Sequence, residues 1–457
     1  MIYRLLLFCS LFLALGSLCI AQEKGVITGT VRNSETKEII TGANIRVEGT
    51  LLGSVSNIYG VFLINNLPVK TYTLIVSMLG FETKKVENIE ASSRDTILLG
   101  GDITIELEPM PVQTQPVIVT ASKREQNIEE IPASVSVIDS RLLTSRNSVA
   151  VDDALRYVSG VNFIQSQVNI RGSTGYSKGV GTRVLILVDG LPMLSGDTGE
   201  IIWESFPVSQ IERVEIVKGA GSALFGSNAL GGVINLITKS GSVTPETHLQ
   251  VYGGVYESPY YDEWKWTDES RFLNGIRASH QQQFLNGSLF LAFNRTEDDG
   301  YQKNNHWTRW NGWAKLDALL STDETLTMAV GILDQRRGNF LYWKDLQHAL
   351  EPTDDQLAQK IESLRWTVSM MYKTIFSSQT FLTFKTSLFR TRWEDNIPHP
   401  YDADGERSEA DNKNGEIQIV HQVSENNIVT GGLYGNINTV DSDSIFGKHS
   451  GRSVAAY

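Results

Sequence analysis

Cysteine is almost absent from this 457-residue chain: Cys9 and Cys19 are its only two. Both fall in the opening MIYRLLLFCSLFLALGSLCIAQ, where Arg4 precedes an apolar core from Leu5 to about Leu15 and small residues lead to Ala21. That order is a secretory signal peptide with cleavage expected after Ala21. The remaining chain then has no thiol, which excludes disulfides, thiolate metal sites and cysteine nucleophiles. Histidine is scarce, with seven in all, and neither H-E-x-x-H nor G-x-S-x-G occurs. Hydrolase and zinc-protease chemistry therefore has no motif to rest on, and no cofactor or metal site is expected. Positive charge is also short: the net charge is −12 and the pI near 5.2, which argues against nucleic-acid binding. After the leader no apolar run reaches the length of a helical span. A membrane protein of this kind crosses as a β-barrel or not at all.

What is present is concentrated in Ile211 to Lys239, IERVEIVKGAGSALFGSNALGGVINLITK. Two β-type runs flank Gly219, Gly221, Gly226, Gly231 and Gly232, residues that reach backbone states closed to side chains. The glycines do not space as G-x-G-x-x-G, and no Gly-Lys-Ser/Thr follows, so a nucleotide loop is excluded. Upstream, Val184 to Val188 is an apolar run closed by the turn pair Asp189-Gly190.

These residues resemble the plug domain of TonB-dependent outer-membrane receptors, a family of energised importers. The resemblance runs from about Lys123 to Ser240 and is strongest at Arg171-Gly172, Asp189-Gly190 and the Gly219 to Lys239 stretch with Gly226, Gly231 and Gly232. Within it, Ile131 to Val137 reads as a strand and Ser140 to Leu143 as the start of a short helix. Ser148 is a candidate N-cap for a second helix that Gly160 closes. Arg171, Arg183, Arg213, Glu212 and Glu215 are charges that a plug could pair inside a lumen. The loops Ser173 to Thr182 and Met193 to Ile202 would be plug apices facing ligand, with Ser173, Tyr176, Met193, Ser195 and Asp197 as candidate contacts.

Ahead of the plug, Gln22 to about Glu108 alternates short apolar runs with turns at Asn33-Ser34, Gly53, Tyr59-Gly60 and Leu79-Gly80. The spacing fits a sandwich of about seven strands. The segment resembles the carboxypeptidase-regulatory-like module that precedes many such receptors of the Bacteroidetes type, and it lacks paired His and Glu zinc ligands. Pro109, Pro111 and Pro116 then make an extended linker over 109–122. In it, Val117, Ile118, Val119, Thr120 and Ala121 resemble the TonB box, a β-prone segment that a partner can take up by strand addition. An ordinary first plug strand remains open for the same pentamer.

From about 243 onward the pattern changes to period two. Leu326, Met328, Val330 and Ile332 alternate with smaller or polar residues, as do Trp366, Val368, Met370 and Tyr372. His248 to Tyr256, Ser288 to Asn294, Trp310 to Leu320, Phe381 to Arg390 and Glu416 to Val423 also read as strands. Polar stretches at 260–270, 296–306 and 398–414 read as loops. This is the pattern of a transmembrane β-barrel. About eight to ten strands fit, fewer than this family needs to close, and the final RSVAAY lacks a barrel-terminal signature. An N-terminal fragment of a longer receptor is the expectation.

The fold expected is mainly β: a sandwich at 22–108, a mixed α/β plug at 123–242 and the first part of an antiparallel barrel at 243–457. The resemblance implies an outer-membrane receptor importing a scarce nutrient such as a ferric siderophore or cobalamin. Its partners would be TonB with its inner-membrane energising complex, outer-membrane lipid and a small-molecule ligand such as a metal chelate. The module and box would lie in the periplasm. A surface adhesion or signalling protein, and a glycan importer of the same superfamily, are the alternatives.

Overall fold

The computed structural model describes residues 24–78, 81–93, 103–108, 117–118, 123, 126–128, 131, 133–134, 135–145, 150–164, 166–173, 182–397, 405–424, 427–443 and 447–457. The leader, the Leu79-Gly80 turn, the linker prolines, Val119, Thr120, Ala121, Ser148 and Tyr176 lie outside the described residues. By contacts the chain forms two compact units, an N-terminal one and one that holds plug and barrel.

In the first unit, strands β1 (Lys24–Asn33), β4 (Val61–Pro68), β7 (Ser92–Ser93) and β8 (Ile103–Leu107) make one sheet. Strands β2 (Asn44–Val47), β3 (Gly53–Val55), β5 (Thr71–Ser77) and β6 (Lys84–Glu90) make the other. The pattern of β5, with Tyr72, Leu74 and Val76 buried on one side, is the half-buried alternation that a sandwich demands. Gly53, expected in a turn, is instead the first residue of β3. A Cβ there would lie 2.6 Å from the Ile45 carbonyl, so close strand approach explains the glycine.

Two short strands, β9 (Val117–Ile118) and β10 (Gln126–Asn127), pair antiparallel ahead of the plug. The plug sheet runs β11-β16-β17-β14-β15, made of Val135–Asp139, Ile211–Lys218, Gly232–Thr238, Val184–Val188 and Leu191–Pro192. Its pairs are antiparallel except β14 with β17, which run parallel. Every residue of β14, VLILV, is buried, because a central strand covered on both faces selects a continuous apolar run. Helices α1 (Ser140–Ser145) and α2 (Val151–Leu155), and the hairpin β12 (Val161–Ile164) with β13 (Gln167–Ile170), complete the domain. The first strand starts at Val135 rather than Ile131, and Ala150 stands at the N-cap of α2. Between β16 and β17 the glycine-rich connection contains a short helix, α3 (Ser222–Phe225).

Ten strands follow in strict sequence order, each antiparallel to its neighbours wherever a register is given: β18 (Glu246–Val255), β19 (Phe272–Phe284), β20 (Gly287–Asp298), β21 (Trp307–Ser321), β22 (Glu324–Gly338), β23 (Lys360–Ser377), β24 (Thr380–Asp395), β25 (Arg407–Ser424), β26 (Asn427–Ser442) and β27 (Lys448–Ala456). Among the described residues β18 and β27 do not pair with each other, so the sheet is an open wall. Along β22, Met328, Val330 and Ile332 are exposed while Ala329, Leu333 and Gln335 are buried. Along β25, Ile417, Ile419 and Val423 face out, and Ser408, Asn412, Asn414, Glu416 and Gln418 face in. Apolar outside and polar inside is the inverse of a water-soluble sheet and suits a wall with lipid behind it. Two-residue turns at 285–286 and 322–323 join strands at one end; longer loops at 256–271 and 339–359 join them at the other.

One expectation needs correction here, and two strands go beyond the sequence reading. Residues 407–414 form the start of β25, not a loop: inward-facing Asn412 and Asn414 bond backbone carbonyls of the plug. Strand β19 carries little alternation in its sequence, FLNGIRASHQQQF, because both of its faces are mixed. The last residues, RSVAAY, belong in part to β27 despite their weak pattern.

Candidate functional site

The functional centre is the contact between plug and wall. One continuous apolar core contains plug residues such as Ile186, Phe206 and Ile234 together with inward-facing Phe290, Trp313 and Phe389 of the wall. Around it a set of polar locks fixes the plug.

The first lock is the Asp189-Gly190 turn. Both residues have positive φ, 48° and 81°, as a tight two-residue hairpin between β14 and β15 requires. The turn brings the Asp189 carboxylate to the end of β17, where it accepts the Thr238 N–H at 2.9 Å and the Thr238 hydroxyl at 2.6 Å. The Lys315 ammonium of β21 donates to the same carboxylate at 3.3 Å, and to Thr238 Oγ1 and the Thr238 carbonyl at 3.1 and 3.3 Å. Gly190 N–H donates to Asn235 Oδ1 at 3.1 Å. A Cβ on Gly190 would approach Lys385 Nζ to 3.0 Å, so the glycine also makes room for a second lumen lysine. Lys315 is only 8% exposed in its side chain, so its charge depends on Asp189.

The second lock holds loop 193–202. Asn412 Nδ2 donates to the Leu194 carbonyl at 3.0 Å, and Asn414 Nδ2 to the Pro192 carbonyl at 3.3 Å. Trp393 Nε1 donates to Asp197 Oδ2 at 2.9 Å, and the Ser195 hydroxyl bonds the same carboxylate's other oxygen. Met193 and Ser195 are buried, and Asp197 is occupied. Of the five residues expected at ligand, Met193 and Ser195 are thus buried and Asp197 bonds the wall. Ser173 is half-buried and Tyr176 lies outside the described residues.

A third contact involves Glu204, whose backbone carbonyl accepts Asn311 Nδ2 at 3.0 Å. Burial raises the pKa of its carboxyl, but the field of Arg309, Arg365 and Arg337 outweighs burial and holds it below the usual value. A small cavity in this seam is lined by Ser205, Trp313, Arg365 and Thr367 among others. Ser205 Oγ, Trp313 Nε1, Arg365 Nη1 and Thr367 Oγ1 have no protein hydrogen-bond partner among the described residues. The seam is thus less perfectly matched than a dry core, and easier to part.

Just beyond the Val117–Ala121 pentamer, Lys123 is tied down. Its ammonium pairs with the Glu416 carboxylate and lies over the rings of Tyr457 at 4.1 Å and Phe225 at 4.9 Å. Its carbonyl accepts Gln418 Nε2 at 3.2 Å.

The plug's own charges stay within the plug. Arg213 pairs with the fully buried Glu215 at 2.9 Å, Arg171 donates to the Lys218 carbonyl at 3.1 Å, and Arg183 and Glu212 are exposed. Of the charges expected to pair, Arg213 and Glu215 do so, two residues apart on one face of β16. The glycines of the motif do geometric service. Gly219 and Gly226 have φ of 138° and 80°. Gly232 has φ 151°, and a Cβ on it would sit 2.6 Å from the Val217 carbonyl; one on Gly231 would run into Ser173 Oγ. Arg171-Gly172 is a second turn of two positive φ values, 52° and 70°. Sequence reading missed Thr238, Lys315, Trp393, Asn412 and Asn414, since the partners of a turn on another domain leave no local signal.

A plug locked by polar groups into an apolar-out, polar-in wall defines the class: a plug domain seated against part of a β-barrel wall of the outer-membrane kind. Residues 127–233 match the family model of the TonB-dependent receptor plug domain, and residues 27–127 match that of the CarboxypepD_reg-like domain. The chain thus carries the plug domain of the TonB-dependent receptors. It is 36% identical over 202 residues to the vitamin B12 transporter BtuB of Vibrio vulnificus, a match covering 43% of this chain and 30% of that protein. The siderophore receptor PirA from Pseudomonas aeruginosa superposes with a TM-score of 0.54 at 18% identity, over 71% of this chain and 52% of that one. The RagAB peptide importer gives 0.55 at 13% identity, over 75% and 53%. These two likenesses establish the fold. The chain spans about half the length of the solved receptors it matches, and under a third of the curated transporter.

Two predictions test the locks. Asp189→Ala leaves the Lys315 ammonium unpaired and should destabilise the plug by ~3–5 kcal/mol, while Asp189→Asn with Lys315→Met should recover much of it. Limited proteolysis of the plug in the folded receptor reads this out, and equal protection of Asp189→Ala and the parent would refute the role. The second concerns Asp152 in α2, whose carboxyl is pushed up to about 6 by burial first, then by Asp153 and Glu204, against Arg156. A raised folded pKa means ionisation is penalised in the fold: stability is complete below the ordinary 3.8 and is lost as pH rises through 6. Between pH 4 and 8, amides of α2 should lose ~1–3 kcal/mol of exchange protection relative to Asp152→Asn. A constant difference across that range would show that Asp152 does not titrate there.

Proposed function

We propose that this protein is an outer-membrane receptor that imports a scarce nutrient, a ferric siderophore or cobalamin, using energy delivered through TonB. The observation that carries the reading is a complete plug fastened inside the wall by a few polar locks. Such a plug closes the lumen at rest and must be moved for anything to pass. Identity to a vitamin B12 transporter and structural likeness to a siderophore receptor support the cargo class.

Short turns at one end and long loops at the other support an orientation with turns toward the periplasm and loops outside. The module and the Val117–Ala121 segment then lie in the periplasm. Val117 and Ile118 form β9, and an extended backbone there suits a segment handed to a partner by strand addition. Pulling there would act first on Lys123, whose buried pair with Glu416 anchors the chain to the wall. Cargo docks among the loops and the plug apex, with Ser173 and Tyr176 as the remaining plug candidates.

Deleting residues 117–121 from the receptor should abolish energised uptake of its nutrient and leave equilibrium ligand binding unchanged. Growth on limiting nutrient and a binding assay on outer membranes separate the two effects. Full uptake by the deletion would sink the reading and favour an adhesion or signalling role.

A further inference from the structure

We infer that Lys385 is a standby counter-ion for Glu416, held in the lumen to take over that carboxylate when the Lys123 end of the plug is drawn away; this deepens the transporter reading and rests on it. Two anchors flank this lysine. Glu416 of β25 pairs with Lys123, just beyond the 117–121 segment, and its Oε1 also accepts the Tyr457 hydroxyl at 2.7 Å. Asp189 of the plug hairpin pairs with Lys315 of β21. Lys385 of β24 is only 8% exposed, and it makes no hydrogen bond or ion pair with any described residue.

Strand register sets Lys385 directly across from Glu416. Arg390 Nε and Nη2 donate to the Asp411 carboxylate at 2.5 and 2.8 Å, and Asn414 Nδ2 donates to the Ser387 hydroxyl at 3.2 Å. Those contacts oppose 390 to 411 and 387 to 414, as in an antiparallel pair. Two residues further along each strand, Lys385 and Glu416 oppose each other on the inward face that Ser387 and Asn414 share. The plug hairpin closes the other side, since a Cβ on Gly190 would come within 3.0 Å of Lys385 Nζ. The carboxylates of Glu416 and Asp189 both attract the Lys385 ammonium, and Lys123 repels it. The row therefore reads Lys123, Glu416, Lys385, Asp189, Lys315. Its charges alternate in sign, with one ammonium more than the two carboxylates need.

A spare buried ammonium is costly to keep, because burial penalises a charge that lacks its own partner. Release of the plug gives it a use. Lys123 sits at φ 56°, a left-handed state unusual for lysine, so its contacts hold it there against backbone preference. Drawing Lys123 out would strand the Glu416 carboxylate, which is 4% exposed. Opposed residues on neighbouring strands have Cβ atoms about 5 Å apart, well within reach of a lysine side chain. Lys385 then closes onto Glu416 by a change of rotamer alone, and the first step of release exchanges one ion pair for another.

Limited proteolysis of the plug in the folded, purified receptor tests this through a double-variant cycle. Lys123→Met and Lys385→Met should each change the cleavage rate by no more than about threefold, because either lysine alone can serve Glu416. Together they should raise it by about tenfold or more beyond the product of the single effects, and adding Glu416→Gln should remove that excess. If the double variant does not accumulate folded, folded yield is the readout, and Glu416→Gln must restore it. Single effects that multiply without excess, or an excess or lost yield that Glu416→Gln leaves in place, overturn the inference. The resting receptor needs neither nutrient nor TonB in this assay, so its failure is distinct from failure of the uptake reading, which the 117–121 deletion reports.

Discussion

A buried ammonium ties the plug to the wall. Lys315 projects from β21 into the lumen with almost no access to water, and its anionic partner is Asp189, supplied by the plug. The same carboxylate ends β17 by accepting from Thr238, so a single group closes the plug sheet and fastens it to the barrel. Removing one member of such a pair strands a charge, at a cost of ~3–5 kcal/mol, a sizeable part of a domain's stability. The surrounding structure follows from that requirement. Asp189 reaches Lys315 only because Asp189 and Gly190 both adopt positive φ, and the lumen accepts a polar plug only because its own strands face inward with Asn, Gln, Ser and Lys.

The remaining contacts are weaker and more dispersed. Asn412, Asn414 and Trp393 hold loop 193–202 by single hydrogen bonds, and the seam near Ser205 leaves several polar groups without a protein partner. Hydrogen bonds of this kind contribute about 1 kcal/mol each, which water can largely replace. A plug so fastened is stable at rest and separable under load. Lys123, beside the segment proposed for TonB, is placed to feel that load first.

Much of this architecture was legible in the sequence, for different reasons in different places. The run VLILV, the Asp-Gly pair and the spaced glycines between Ile211 and Lys239 encode local backbone states, and the structure realises them as β14, its hairpin and the β16–β17 connection. The outward faces of β22 and β23 were visible because lipid selects apolar residues at every second position. Strand β25 was half hidden: its inward residues are polar for the plug's sake, so its first half reads as a loop. Loop 193–202 is ambiguous in sequence, since glycine and polar residues suit a ligand-facing apex and equally suit a loop bonded to a polar wall. Lys315, Thr238 and Asn414 could not be found locally, because what defines them is a partner far away in the chain.

The central claim is that the seated plug must move for cargo to pass. Ser209 of the plug and Asn294 of β20 touch through their side chains at 2.8 Å, and the chain's only cysteines are Cys9 and Cys19 in the opening segment. Ser209→Cys with Asn294→Cys would therefore allow a disulfide across the seam with little competing thiol. Energised nutrient uptake by this variant should stop when the disulfide forms and return on reduction, with ligand binding unchanged throughout. Undiminished uptake with the crosslink fully formed would contradict the account.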